Sequence, residues 1–301
     1  MFGSLIVRMM LAPKRGRAMA GVTFSAQWAM AALRCVHREP LLMSDLINAD
    51  ELAQMLSDPD LCVFDSSWYL PAEQRNPHDE FLQRRIPGAQ FFDFDGAICR
   101  TDTDLPHMLP SVGEFQQHAR RLGVTRSSRV VVYDTHGLFA SPRAWWMFRS
   151  MGQRDCKVLN GGLPAWEARG LATQFGPPAE IAPGDFVAVL QSGWVIDTEQ
   201  VLQATAHGDQ RILDARPAGR FAGQEPEPRA GLRRGHMPGA QNLPSSELVR
   251  DGRLRDAPAL KQAFATAARP DAPLIMTCGS GVTAAILALA AASCRSYDPD
   301  V

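Results

Sequence analysis

The sequence has no Cys-x-x-C pair, no long apolar run and almost no net charge, and each absence excludes a class of protein. Its six cysteines are widely spaced in 301 residues, which argues against a disulfide scaffold and favours a reducing compartment. No stretch approaches the roughly 18 uninterrupted apolar residues of a transmembrane helix. Because 31 basic residues balance 32 acidic ones, we expect neither a nucleic acid nor a membrane as partner.

What remains is a composition typical of a globular protein, with 46% hydrophobic and 21% charged residues in a length that favours two domains. The first 43 residues stand apart, because up to Arg38 they are basic, rich in Met and Ala, and free of acids. An organellar presequence would look like this and would imply a mitochondrial location. We favour a simpler interpretation: residues 1–43 form a disordered extension without structural role, and a cytoplasmic protein begins near Met43.

Three segments of the first half recur in the second half in the same order. The pentapeptide IPGAQ at residues 86–90 recurs as MPGAQ at residues 237–241, and VFD at residues 63–65 recurs as ILD at residues 212–214. The apolar run at residues 130–133 is matched by another at residues 273–277. The repeat predicts two copies of one domain.

Within each copy, short apolar runs alternate with helical stretches, which predicts an α/β fold with a parallel sheet flanked by helices. The predicted domains are residues 44–173 and 185–301. Between them lies a linker at residues 174–184 that contains Pro177, Pro178 and Pro183. A cleft between two such domains is a favoured place for a small-molecule site.

Cys278 has the setting of a reactive cysteine. It follows a predicted buried strand and precedes a glycine-containing turn and a helical run. Glycines allow backbone N–H groups to point inward at a helix N-terminus, and such a nest favours a thiolate, a persulfide or an oxyanion. Ligands of open α/β sheets also bind at the carboxyl ends of strands. We therefore predict a nucleophile at Cys278, with substrate bound by the loop residues Gly279, Gly281, Val282 and Thr283.

A lone cysteine is more often buried and inert than nucleophilic. We expect that of the other five, which are Cys35, Cys62, Cys99, Cys156 and Cys294. In the first copy, Asp134 stands where the second copy has Cys278.

The segment CGSGVTA at residues 278–284 resembles the active-site loop of the 3-mercaptopyruvate sulfurtransferases, within the tandem rhodanese family. The resemblance extends over residues 44–292 and includes the motifs DSSWYLP (65–71), IPGA (86–89), HMLP (107–110), PRAWW (142–146) and GHMPG (235–239). It implies two tandem rhodanese-like domains, of which the first has lost its cysteine, in agreement with Asp134.

The resemblance also implies the sulfur donor and its ligands. Relatives that prefer thiosulfate have basic side chains directly after the cysteine, whereas Gly279 and Ser280 are neutral and suit the single carboxylate of 3-mercaptopyruvate. Arg220 and Arg229 match the family's substrate-binding pair, and a guanidinium can bind a carboxylate through two hydrogen bonds. We interpret Arg216 as structural, paired with a nearby carboxylate.

In the family, a histidine of the HMLP motif and an acid before it are proposed to align with the loop serine. The matching residues are His107, Asp95 and Ser280. An acid can orient an imidazole, which can tune a hydroxyl that assists proton movement. We predict that these three are catalytic together with Cys278. The alternative is that His107 only packs at the domain interface.

The predicted reaction moves sulfur from 3-mercaptopyruvate to a Cys278 persulfide and then to cyanide, a small thiol or a thioredoxin-like protein. Pyruvate is released, and no cofactor or metal is required. One alternative is a thiosulfate sulfurtransferase, and another is a degenerate sulfur-carrier or binding module. A cysteine phosphatase is set aside because it needs an arginine where Thr283 and Ala284 stand.

The two copies differ at their ends. In the first copy a further strand, turn and helix follow Asp134 at residues 157–170, but the same spacing counted from Cys278 runs beyond Val301. We therefore expect a second domain that is incomplete at its C-terminus. Its neighbouring strands would lack a partner, with reduced stability or activity.

Overall fold

The computed structural model describes residues 6–9, 44–207, 211–229, 231–267 and 273–296. Predictions for Cys35, for the rest of the N-terminal extension and for residues 297–301 lie outside these ranges. Within them, strand β1 (Ile6–Met9) is followed by two α/β domains. None of the helices found in these ranges is long and apolar enough to cross a bilayer.

The first domain contains a five-stranded parallel sheet in the order β2-β6-β5-β3-β4. Its strands are β2 (Leu46–Ile47), β3 (Leu61–Asp65), β4 (Gln90–Phe91), β5 (Arg129–Tyr133) and β6 (Cys156–Leu159). Its helices are α1 (Ala49–Met55), α2 (Pro77–Gln83), α3 (Val112–Arg121), α4 (Ser141–Ser150) and α5 (Gly162–Ala168). The predicted parallel sheet is confirmed for this domain.

Local sequence explains where several of these helices begin. Asn48 and Glu51 form a reciprocal capping box at the start of α1, as do Ser111 and Glu114 at α3. Asn76 accepts hydrogen bonds from the first turn of α2, directly before Pro77 at the first helical position. Strand β5 is buried along almost its whole length, as expected for a central strand of a parallel sheet.

The sheet of the second domain has the strand order β7-β1-β12-β8-β9. It repeats the arrangement of the first sheet, except that one position is filled by β1 from the start of the chain. Its own strands are β7 (Val195–Ile196), β8 (Arg211–Asp214), β9 (Gln241–Asn242) and β12 (Leu274–Thr277), with a separate hairpin of β10 (Val249–Arg250) and β11 (Arg253–Leu254). Its helices are α6 (Thr198–His207), α7 (Ala218–Phe221), α8 (Ala257–Ala267) and α9 (Val282–Ser296). Strands β12, β8 and β9 are parallel.

Strand β1 corrects three expectations. It pairs antiparallel with both β12 and β7, so this sheet is mixed and not purely parallel. It occupies the position that β6 has in the first sheet. Strands β12 and β7, which were expected to lack a partner at this position, therefore both pair with β1. Residues 6–9 therefore take part in the fold. The physical reason is that β12 is buried along its length, and its backbone N–H and C=O groups need partners.

The predicted linker lies along the first domain. Gln174 forms a β-bridge with Arg85, and the Gly184 N–H donates to the Arg120 carbonyl at 2.8 Å. The chain continues on this domain beyond residue 184, since the Gln191 N–H donates to the Ser150 carbonyl at 2.7 Å. The linker is therefore fixed to the first domain by backbone hydrogen bonds.

The two domains share one hydrophobic core. Helices α4 and α9 pack against each other, and one cluster contains buried residues of both, including Trp146 and Leu287. Hairpin β10–β11 adds polar contacts, because the Leu254 N–H donates to Asn160 Oδ1 at 2.9 Å. This packing places the loop after β12 against the first domain.

Candidate active site

Cys278 lies where β12 ends and directly before the loop that leads into α9. Its side chain is buried, and the Gly281 N–H donates to its Sγ at 3.1 Å. Gly281 has φ 89°, a left-handed conformation that glycine adopts without strain and that turns this N–H toward the sulfur. The predicted nest therefore has at least one donor on the sulfur, at the N-terminus of a helix.

The equivalent loop of the first domain shows what such a nest can hold. Asp134 follows β5 and is fully buried. Its Oδ2 accepts hydrogen bonds from the N–H groups of Phe139, Ala140 and Ser141 and from the Ser141 hydroxyl, at 2.6–3.0 Å. Its Oδ1 accepts from the His136 N–H at 3.0 Å. In this protein, then, the loop after a central strand accommodates a carboxylate where the second domain has its thiol.

Both predicted substrate-binding arginines reach the Cys278 loop. Arg229 Nη2 donates to the Gly279 carbonyl at 3.0 Å. A Cβ placed on Gly279 would lie 3.3 Å from Arg220 Nη2, so any side chain there would crowd the guanidinium. The structure therefore brings two cations to the residue that follows the cysteine, as a carboxylate-binding role requires.

A buried carboxylate holds Arg220 in place. Glu227 Oε2 lies 2.5 Å from Arg220 Nη2, and its Oε1 lies 2.7 Å from Arg216 Nη1. Arg216 also contacts Asp214 Oδ2 at 2.6 Å, which confirms its predicted structural role. Burial opposes ionisation of Glu227, but the hydrogen bonds and charges of Arg220 and Arg216 outweigh it and hold the pKa of Glu227 below its usual range.

Asp95 and His107 form the acid–imidazole pair that the resemblance implied. His107 Nε2 lies 2.7 Å from Asp95 Oδ1, and the ring of His107 is packed edge-on against Trp68 and Phe94. His107 has φ 59°, a left-handed conformation uncommon for residues other than glycine and often found at functional sites. The close imidazole outweighs partial burial and lowers the pKa of Asp95, which keeps the carboxylate ionised.

The loop serine is not joined to this pair. Within the described part of the chain, no side-chain hydrogen bond joins Ser280 to another residue. Both ring nitrogens of His107 are buried without a hydrogen-bond partner, and the contact of Nε2 with Asp95 is a short ion-pair distance without hydrogen-bond geometry. The three-residue alignment of Asp95, His107 and Ser280 therefore stays a prediction, of which the structure contains the first two members. Val282 and Thr283 form the first turn of α9, next to the loop.

The other described cysteines are unpaired and in unreactive surroundings. Burial raises the pKa of the thiols of Cys62, Cys99, Cys156 and Cys294, the last to about 11. A thiol with a raised pKa is a poor nucleophile at neutral pH.

Comparison with known proteins agrees with this geometry. A family model described as a rhodanese-like domain matches residues 48–169 and again residues 197–299. The chain belongs to the rhodanese family. The two matches confirm that the repeat consists of two tandem rhodanese-like domains.

Curated rhodanese-family relatives cover most of the chain. The 3-mercaptopyruvate sulfurtransferase of Escherichia coli (strain K12) is 42% identical over 249 residues, 82% of this chain and 88% of the relative. The thiosulfate/3-mercaptopyruvate sulfurtransferase 1, mitochondrial, of Arabidopsis thaliana is 35% identical over 298 residues, 92% of this chain and 76% of the relative. The crystal structure of SseA from Escherichia coli, a 3-mercaptopyruvate sulfotransferase with the rhodanese fold, has a TM-score of 0.76 at 38% identity, covering 85% of this chain and 96% of that one.

Two buried charged residues of this rhodanese-family protein, Glu227 and Arg143, were not predicted from the sequence. Glu227 lies two positions before Arg229, but nothing local marks it as more buried than Glu225 beside it. Arg143 lies within the PRAWW motif that was used only as a family marker, and its Nη2 donates to the carbonyl of His107, in a different segment of the first domain. To predict that either residue is buried, one must know which groups contact its charge in the folded protein, and the local sequence does not show these groups.

Proposed function

We propose that this rhodanese-family protein is a sulfurtransferase that takes sulfur from 3-mercaptopyruvate onto Cys278 and passes it to an acceptor. The observation that carries the proposal is the convergence of Arg220 and Arg229 on Gly279, directly after a cysteine whose Sγ accepts the Gly281 N–H. A nucleophile and two carboxylate-binding groups then lie at one loop. The names of the relatives that cover most of the chain support the same reaction class.

In the first half-reaction the Cys278 thiolate attacks the sulfur of 3-mercaptopyruvate. A sulfur–sulfur bond forms as the carbon–sulfur bond of the donor breaks, and its electron pair stays on carbon as the enolate of pyruvate. The enolate takes up a proton, and Cys278 is left as a persulfide. Arg220 and Arg229 hold the carboxylate and carbonyl of the donor, so that its sulfur is directed at Sγ.

In the second half-reaction a nucleophile removes the outer sulfur and regenerates the thiolate. Cyanide, a small thiol or a thioredoxin-like protein could each perform this attack, and we propose this class of acceptor. The Cys278 loop is the place where the anionic persulfide is held between the two steps.

We assign His107 and Asp95 to proton movement. Asp95 lies 2.7 Å from the imidazole of His107, and a contact between His107 and Ser280 in the substrate complex would complete the predicted relay to the enolate. Catalytic contacts are often longer in a free enzyme than in its substrate complex, so the missing hydrogen bond between Ser280 and His107 is compatible with this role.

The decisive experiment treats the protein with 3-mercaptopyruvate and follows pyruvate release, with Cys278→Ser and Cys62→Ser as a matched pair. We expect loss of pyruvate release in the first variant and near-normal release in the second, since Cys62 is a partly buried thiol of the first domain. Pyruvate release that persists in the Cys278→Ser variant would refute the proposal.

Thiosulfate is the second candidate donor, because the name of the Arabidopsis relative includes it. Intact-mass analysis after incubation with each donor would measure the gain of one sulfur atom. The neutral Gly279 and Ser280 predict faster persulfide formation with 3-mercaptopyruvate. A persulfide that forms but never discharges to cyanide or thiols would instead indicate a sulfur carrier.

For location we propose the cytoplasm, where a persulfide-forming thiol stays reduced. Fractionation of the producing cell with an antibody would test this, and recovery in mitochondria would favour a presequence at the N-terminus.

A further inference from the structure

The imidazole of His107 is held by packing and not by hydrogen bonds. Its side chain is 2% exposed, and neither ring nitrogen has a hydrogen-bond partner among the described residues. Asp95 Oδ1 lies 2.7 Å from Nε2, but this contact lacks hydrogen-bond geometry and does not fix the tilt of the ring. The main chain of His107 is fixed, because Arg143 Nη2 donates to its carbonyl at 2.5 Å. The orientation of the ring must therefore come from the side chains around it.

Two aromatic rings pack against this imidazole. The ring of Trp68 stands perpendicular to it, with the ring centroids 4.9 Å apart and an interplanar angle of 89°. Phe94 makes a second edge-on contact, at 5.4 Å and 68°. Rotation about the bond that carries an imidazole has a broad energy profile, whereas edge-to-face ring contacts have a preferred geometry. The two neighbours therefore restrict the orientation of the His107 ring.

Trp68 is itself supported by the first-domain loop that corresponds to the Cys278 loop. Its ring stacks on that of Phe139, with centroids 6.2 Å apart and planes 16° from parallel. Phe139 belongs to the Asp134 loop, and its N–H donates to Asp134 Oδ2 at 2.9 Å. A continuous series of contacts thus runs from the buried Asp134 carboxylate through Phe139 and Trp68 to His107.

We propose that Trp68 is a positioning residue for the imidazole of His107, and that the Asp134 loop holds Trp68 in place through Phe139. Trp68 exchanges no proton itself, but it restricts the imidazole to the orientation that faces Asp95. A proton-transfer group must lie within about 2.6–3.2 Å of its partner, so a ring that is free to rotate is less often in a productive position. This role rests on the proposed part of Asp95 and His107 in proton movement. The loop that lost its cysteine then supports the chemistry at the loop that kept one.

The test compares steady-state pyruvate release from 3-mercaptopyruvate in the Trp68→Leu and Trp68→Phe variants. Trp68→Leu keeps an apolar side chain but removes the ring, so kcat should fall by roughly tenfold. KM should stay close to the wild-type value, because in the proposed reaction Arg220 and Arg229 bind the donor from the second domain. Trp68→Phe keeps a ring beside the imidazole and should retain most of kcat.

A double-mutant cycle separates positioning from a general loss of structure. In a His107→Gln background, Trp68→Leu should cause little further loss of kcat, because its effect acts through the imidazole. The matched control is Trp194→Leu, since Trp194 is also half-buried and its ring contacts that of Trp145 at 5.8 Å. This control should lower the melting temperature and leave kcat unchanged. A folded Trp68→Leu variant with wild-type kcat would overturn the proposal, as would an equal loss of kcat in the wild-type and His107→Gln backgrounds.

Phe139→Leu provides a second variant if Trp68→Leu does not fold. It removes the ring that supports Trp68, so kcat should fall in the same direction but by a smaller factor. A folded Phe139→Leu variant with wild-type kcat would refute the part assigned to the Asp134 loop. NMR of protein with isotope-labelled histidine reports on the ring of His107 directly. We expect one set of His107 signals in the wild type and broadened or split signals in Trp68→Leu and Phe139→Leu.

The outcome is distinguishable from failure of the proposed function. If His107→Gln releases pyruvate at the wild-type rate, the proton-transfer role of the acid–imidazole pair fails, while the NMR signals still show whether Trp68 fixes the ring. One sharp set of His107 signals in a folded Trp68→Leu protein would refute the positioning role, even if pyruvate release depends on Cys278 and His107.

Discussion

Glu227 lies 2.5 Å from Arg220 and fixes that guanidinium beside the Cys278 loop. The carboxylate is itself buried, with 4% of its side chain exposed, and it shares its second oxygen with Arg216. The position of one substrate-binding arginine is therefore set by a network inside the second domain. Arg220 needs little rearrangement when a carboxylate arrives, and such preorganisation favours binding.

We expect Glu227→Gln to weaken donor binding, because the amide cannot balance two guanidinium groups and Arg220 becomes free to move. The value of kcat/KM for 3-mercaptopyruvate should fall by about tenfold, on the order of 1.4 kcal/mol. Steady-state pyruvate release measures this. Glu225→Gln is the matched control, since Glu225 is exposed and close in sequence. An equal loss in both variants would contradict a specific role for Glu227.

Asp95→Asn tests the acid–imidazole pair. Losing the carboxylate removes the group 2.7 Å from His107 Nε2, so we expect kcat to fall by about 10- to 100-fold. The melting temperature should change little, because Asp95 is half-exposed and exposed pairs contribute at most about 1 kcal/mol. Asp102→Asn removes an exposed partner of Arg100 on the same segment and serves as control. Wild-type turnover in Asp95→Asn would leave His107 with a packing role only.

Asp65 predicts a pH dependence of stability. Burial raises the pKa of Asp65 to about 7, although hydrogen bonds from Ser67 oppose the shift. Below about pH 4 the carboxyl is protonated in both the folded and the unfolded state, and no penalty arises. As the pH rises toward 7 the unfolded chain ionises first, so the free energy of unfolding should fall by a few kcal/mol.

Asp65→Asn mimics the protonated acid and should remove this slope. Urea unfolding at pH 5 and pH 8 would measure it, with the exposed Asp185→Asn as reference. The Asn variant should be more stable than wild type at pH 8, and its advantage should be smaller at pH 5. Parallel pH dependence in wild type and Asp65→Asn would show that Asp65 is not the responsible group.

Much of the fold followed from the sequence because its signals are local. The repeated strand-ending segments predicted two similar domains, and the position of Cys278 after a buried strand predicted where the site lies. The Asp95–His107 pair came from the family resemblance, since no spacing rule predicts that contact. The domain repeat, the place of the site and the Asp95–His107 pair could all be predicted because they depend on the order of the strands and on short motifs.

The features that sequence did not predict depend on long-range contacts. Arg143 and Glu227 look like ordinary charged residues until their burial and partners are known. Strand β1 pairs antiparallel with strands far along the chain, and a basic segment rich in Met gives no sign of which sheet it joins. Antiparallel pairing across this separation in sequence leaves no periodicity that a local reading could detect.

Strand β1 supplies the final prediction. Val7 is paired with Met276 on one side and Val195 on the other, so a proline there removes a backbone donor from the interior of a sheet. We expect Val7→Pro to lower the free energy of unfolding by about 1–3 kcal/mol, as for a lost buried hydrogen bond. Amide hydrogen exchange in β12 should accelerate while exchange in β5, in the other sheet, stays unchanged.

Val7→Thr is the matched control, because threonine keeps the backbone donor and the preference for strands. It should leave exchange in β12 near the wild-type rate. If Val7→Pro also leaves β12 protected and Cys278 active, the sheet does not depend on residues 6–9, and the first expectation of a dispensable N-terminal extension would be restored. If β12 loses protection, the strand that directly precedes Cys278 is held in place from the opposite end of the chain.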